Sequence, residues 1–233
     1  MKSIKICRVK MTYLEHFFSK KLHIPCFHEY YGEFFFNWSI ETAKQFMKHL
    51  MTMQPTKFYI TSSTEIEAVT SKKELFFTIM ESYNKLGNKK IDKFELMSVI
   101  PFIVGSNFEE VFVLSLKYFC LENEGKEIIT KDEFGLFLDC FFRAIHCISN
   151  LDSEDNVYQK TKDNLIKLSE SELDELLENI FVDENKNKIE KIELEKLSKQ
   201  IPENLMKILK NINEGFHGSM AYYENKIKQD NKI

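Results

Sequence analysis

Glycine and proline are scarce in this chain. Seven glycines and four prolines among 233 residues are fewer than the many turns of a β-sandwich would use, so a helical fold is favoured. Two of the prolines, Pro101 and Pro202, even fall inside segments that otherwise read as helical. Arginine is nearly missing: of 32 basic residues only Arg8 and Arg143 are arginine, and the pI is about 5.9. A nucleic-acid binder concentrates Arg and Lys on one basic face, whereas here the lysines are spread along the chain, so no nucleic-acid partner is expected. No apolar run reaches the roughly 18 residues a membrane-crossing helix needs, so no membrane insertion is expected. The C-x-x-C pair is also lacking. The five cysteines, Cys7, Cys26, Cys120, Cys140 and Cys147, read as free thiols of a reducing, cytoplasmic compartment. The first residues are basic and free of acids but lack the apolar stretch of a secretory signal, and Lys2 stands where myristoylation needs glycine.

Catalytic signatures are missing too. The sequence holds no G-x-S-x-G, H-E-x-x-H, phosphate-cradling or dinucleotide-binding fingerprint, so a non-catalytic protein is expected. His23, Cys26 and His28 have spacing that reaches one metal, yet no fourth ligand accompanies them and Pro25 interrupts any helix. Packing is the better account of them.

What the chain does have is apolar mass: 43% hydrophobic residues, 21 of them Phe, which places it among globular proteins despite its 29% charged content. An aromatic-rich extension, residues 1–37, shows no period. Beyond it, helical patterns alternate with short polar breaks: Trp38 to Met53, Lys72 to Tyr83, Asp92 to Val104, Phe108 to Leu121, Thr130 to Ile148, Glu170 to Phe181, Glu190 to Lys199, and a further helix after Pro202. Apolar residues recur at three and four, as in Val111, Leu114, Tyr118 and Leu121, and so share one face. Ser71 and the S-x-x-E box at Ser169 to Glu172 mark two helix starts. Residues 150–168 are polar and aperiodic and read as a linker insertion.

Three of the breaks repeat one pattern: an apolar helix end, a polar loop, a single Ile, and a Glu at the start of the next helix. They run from Tyr83 to Leu96, from Leu121 to Phe134 and from Phe181 to Leu194, with Ile91, Ile129 and Ile189 as the isoleucines and Glu95, Glu133 and Glu193 as the acids. Each resembles the EF-hand, a helix-loop-helix whose loop of about twelve residues binds calcium through alternating positions and a bidentate Glu at the last. In that register the Ile occupies the eighth position, where a short strand pairs with a neighbouring loop. Pairing calls for a fourth unit, and Trp38 to Met53 followed by Phe58 to Thr61 supplies its helix and strand. The run Gly105-Ser106-Asn107-Phe108-Glu109-Glu110, followed by a helix and by Ile129 to Phe134, is similar to stretches of the neuronal calcium sensor and calaxin families. The resemblance covers roughly residues 38–213. It implies an all-α fold of two lobes of paired EF-hand units with short loop strands: an N-terminal pair in 38–105, a C-terminal pair in 106–215, and a tail in 216–233.

Position by position, the loops lack calcium ligands. The first offers only Asp92 and Glu95 among Lys85, Lys89, Lys90 and Lys93, which reverse the local field. The second keeps Glu122, Glu124 and Glu133 at its first, third and twelfth positions and is the best metal candidate, but Lys126 replaces a ligand and Glu127 stands at the glycine position, whose positive φ costs a side-chain-bearing residue free energy. In the third, aligning on Ile189 puts Val182 first, while Asp183, Asn185 and Asn187 keep ligand spacing one residue out of register. No resident cofactor is expected, calcium being the one candidate. Phe108, Phe112, Phe119, Phe137, Phe141 and Phe142 either line a groove that clasps a partner helix or pack the core. The expected role is a structural or adaptor subunit of a larger assembly, and the resemblance to calaxin points to a cilium or flagellum axoneme. The alternative is a calcium sensor that opens its groove when one loop fills.

Overall fold

A computed structural model describes residues 38–52, 59–60, 91–105, 107–122, 126–149 and 170–230. The extension in 1–37, the helix expected from Lys72 to Tyr83, the linker in 150–168, the first loop's Lys85 to Lys90, and Glu124 lie outside these residues.

The first helix, α1 (Ile40–Thr52), begins where Ser39 Oγ accepts the Thr42 N–H at 3.1 Å. It buries Ala43, Phe46, Met47 and Leu50, the i, i+3, i+4, i+7 stripe of an amphipathic helix. Trp38 sits edge-on against Phe46, ring centres 5.2 Å apart. Next comes β1 (Tyr59–Ile60), antiparallel to β2 (Ile91–Asp92), with Ile60 opposite Ile91. The strand expected between Phe58 and Thr61 is thus present, joined to the Ile91 loop.

Helix α2 (Lys93–Val104) follows directly. Asp92 caps it, its side chain accepting the Phe94 N–H at 2.8 Å. Every residue from Lys93 to Ile103 is buried, as expected of a helix that is apolar nearly all round and so is enclosed by other elements. Pro101 is tolerated inside it, at the cost of one backbone N–H that a helix interior would use. Gly105 ends α2 in an extended conformation, and Asn107 opens α3 (Phe108–Lys117) by accepting the Glu110 N–H at 3.3 Å. The expected continuation to Leu121 is replaced by a tight turn, in which Phe119 N–H bonds to Leu116 O at 2.8 Å.

Strand β3 (Ile128–Thr130) leads into α4 (Lys131–Ser149). Past the linker come α5 (Glu170–Ile180), β4 (Lys191–Glu193), α6 (Leu194–Gln200) and the long α7 (Glu203–Asp230). Strand β4 pairs antiparallel with β3, with Ile192 opposite Ile129.

That pairing corrects the expected register of the last loop. Ile192, not Ile189, faces Ile129. The cause is a turn the loop makes on its own: Asp183 Oδ1 accepts the Asn185 and Asn187 N–H groups, Lys186 adopts φ 62, and Val182 bridges Lys188. This closed turn delays the strand by three residues. Helix α6 accordingly begins at Leu194 rather than near Glu190, and Glu193 precedes it without a side-chain capping bond.

The described residues are therefore mainly helical, with two pairs of very short strands among them. Their buried apolar side chains form a hydrophobic cluster that runs from Ala43 in α1 to Phe216 in α7. Among the described residues no helix is long and apolar enough to cross a membrane.

Candidate functional site

The second loop carries the acids singled out as metal candidates. Its chain turns at Tyr118–Phe119, passes Glu122, and reaches β3 through Glu127, which holds φ 53. A side-chain-bearing residue in that left-handed region costs on the order of 1 kcal/mol or more. Here Glu127 O accepts the Leu194 N–H at 2.9 Å, and its carboxylate pairs with Lys117 at 2.6 Å.

Glu133 closes the loop. Its Oε1 accepts the Glu122 N–H and its Oε2 accepts the Thr130 N–H, both at 2.7 Å. In return, Thr130 Oγ1 accepts the Glu133 N–H at 3.2 Å. This is a capping box, T-x-x-E, at the start of α4. The pattern Thr130-Lys131-Asp132-Glu133 is the sequence signal of this box and overlaps the register of the loop's last acid. Both oxygens of a buried Glu133 are thus engaged by the backbone, whereas a bidentate calcium ligand presents both to the ion. Glu122 is exposed, and its own N–H is what Glu133 holds.

In the first loop the corresponding acid points elsewhere. Glu95 is only 7% exposed, and its Oε1 lies 3.2 Å from Arg143 Nε on α4. Arg143 also reaches Asp139 Oδ2 at 3.1 Å and Cys140 Sγ at 3.7 Å. Burial pushes the Glu95 carboxyl up to about 7; Arg143 opposes that rise, and Asp92 and Asp139 add to it. Composition marked Arg143 as rare but gave no partner for it.

The third loop is held by Asp183. Hydrogen bonds from the Asn187 side chain and backbone, and from the Asn185 backbone, keep its carboxyl below the usual range. Glu178 on α5 ties this region to α4 by ion pairs with Lys131 and Lys188, which lower its carboxyl to about 2. Among the described residues no group of three or more His, Cys, Asp or Glu is arranged to hold a metal ion. Burial also raises the thiols of Cys120 and Cys140 to about 12, which leaves them inert at neutral pH.

The six phenylalanines offered as a partner groove do not form one. Phe112, Phe119, Phe137 and Phe141 are at most 1% exposed, Phe108 is buried, and Phe142 is partly buried. Their rings pack on one another: Phe137 lies 5.3 Å from Phe119 and 5.7 Å from Phe141, while Phe141 stands 4.6 Å from Phe102 of α2. Helix α2, itself enclosed, packs against them through Phe102. Of the six, Phe108 borders a cleft of about 500 Å³, shared with Asn107, Glu109, Lys210, Asn213 and Glu214. Comparison with family models, with curated proteins and with solved structures finds no match to this chain.

Proposed function

We propose that this chain is a non-catalytic, EF-hand-like structural or adaptor subunit of a larger protein assembly, folded and competent without calcium. The observation that carries the reading is Glu133. Its carboxylate bonds at once to the entrance of the loop, at Glu122 N–H, and to the exit, at Thr130 N–H. A divalent ion holds a loop shut by drawing such groups together; here one side chain does so from within. Glu95, the corresponding acid of the first loop, is likewise engaged within the protein, anchored to Arg143 of another helix. Two further facts favour EF-hand descent. Each pair of short strands joins loops that follow or precede helices, and the backbone register sets Ile opposite Ile in both pairs.

With the phenylalanines inside the core, a partner is met on the outer surface. Among the described residues, Leu121 at 43% and Leu136 at 36% are the exposed large hydrophobic side chains. The partner is a protein, such as a helix or filament component, and the resemblance to calaxin makes the ciliary axoneme the first place to look for it.

Calcium titration by calorimetry tests the reading. No saturable heat is expected at micromolar calcium, and thermal unfolding is expected to be the same in calcium and in chelator. The variant Glu133→Ala should lose about 1–3 kcal/mol of stability, because two N–H groups lose their acceptor, and should lose it equally in both media. Saturable micromolar binding that raises stability would instead establish the sensor reading.

A further inference from the structure

The junction between α2 and α3 is built in an unusual way. Helix ends leave carbonyls without partners, and a left-handed glycine commonly folds the chain back to satisfy them. Gly105 does not do this. It is extended, φ −101 and ψ 132, and its N–H reaches only Pro101 O. Its lack of a side chain serves closeness instead: a Cβ there would lie 2.1 Å from Val111 Cγ1 and 3.0 Å from Ile40 Cδ1.

Two carbonyls of the junction, those of Phe102 and Gly105, are satisfied from α7. Asn213 of α7, only 2% exposed, donates from Nδ2 to Phe102 O and to Gly105 O, both at 2.8 Å. One turn on, His217 Nε2 lies 2.5 Å from Gly105 O, and with a carbonyl opposite it is the ring nitrogen that donates. On the far side of the junction, Lys210 lies 3.3 Å from Glu109 Oε1 and 5.2 Å above the Phe108 ring. Residues 210, 213 and 217 recur at helical spacing, so one face of α7 grips the last turn of α2 and the first turn of α3. The sequence separations are 111, 108 and 112 residues.

We infer that α7 is a strap whose Asn213 and His217 hold the α2–α3 junction in its single conformation, so that any change in α7 is felt at that junction. The donors sit where the partial negative charge of the α2 C-terminus concentrates. Among the described residues, none of the junction itself supplies them. The inference does not depend on the adaptor reading, since it concerns how one helix governs the turn between two others.

Hydrogen exchange on the full chain, read segment by segment, tests it. Asn213→Ala should speed exchange at Gly105 and in the first turn of α3, including Val111, by about tenfold or more. The amides of Lys131 and Leu194, bonded to Glu190 O and Glu127 O across the β3–β4 region, should keep their rates. His217→Gln, which retains a donor, should stay close to the parent, and His217→Phe should behave like Asn213→Ala. Acceleration spread evenly over all segments would mean that Asn213 contributes only general stability and would overturn the inference. So would unchanged rates at the junction, or a His217→Gln variant as fast as His217→Phe.

Discussion

Glu95 sits between two opposed forces. Burial favours its neutral form and Arg143 its charged form, and burial prevails, lifting the carboxyl from an ordinary 4.5 to about 7. Because the folded value lies above the unfolded one, the folded protein binds the proton more tightly between those values. The resulting stability is fully present below about pH 4.5 and is lost as pH rises through 7, a change of about 3 kcal/mol at most. Denaturant unfolding of the parent and of Glu95→Gln, measured from pH 5 to pH 8, should show a falling contribution in the parent that the variant lacks. A slope shared by both proteins would assign it to other groups. At this scale the sequence was partly legible. Glu95 and Glu133 stood out by their register, and both occupy special places. The partners they found, a backbone N–H at Glu122 and a guanidinium on α4, depend on how distant segments meet, which no spacing rule encodes.

Among the elements, the helices were legible from their 3.6-residue apolar period. Helices α1, α2 and α4 begin within two residues of where that pattern places them, and α5 begins at Glu170, inside the Ser169 to Glu172 box. The starts and ends that shifted have local causes. Helix α3 stops at Lys117 because Tyr118 and Phe119 tighten into a turn. Helix α6 starts late because Asp183, a strong turn former, closes a loop upon itself and pushes the strand from Ile189 to Ile192. The sequence pattern singles out Ile189, because Glu193 follows it by four residues, and only the pairing with Ile129 selects Ile192 instead. At the α2–α3 junction the constraint is space rather than backbone angle. Gly105→Ala would drive a methyl group to within 2.1 Å of Val111 Cγ1, so a loss of about 1–3 kcal/mol, typical of overpacking, is expected in a thermal or urea melt. A neutral result would show that Val111 rotates away at no cost.

For the whole molecule, the main correction concerns the phenylalanines. Their helical spacing fits a core and a groove equally well, because both are apolar stripes. The deciding feature is α2, whose eleven buried residues from Lys93 to Ile103 could be seen as an apolar helix in the sequence but not as the element whose Phe102 packs against these rings. With α2 in the middle, the helices before and after the junction share one cluster. A shared cluster favours a single cooperative transition. The one tryptophan, Trp38, lies at the edge of that cluster against Phe46, so its emission is a natural optical reporter placed far along the chain from α6 and α7. Melting followed by that emission and melting followed by far-ultraviolet circular dichroism should superimpose. If the emission changed first, α1 would be peeling away from a remainder that stays folded.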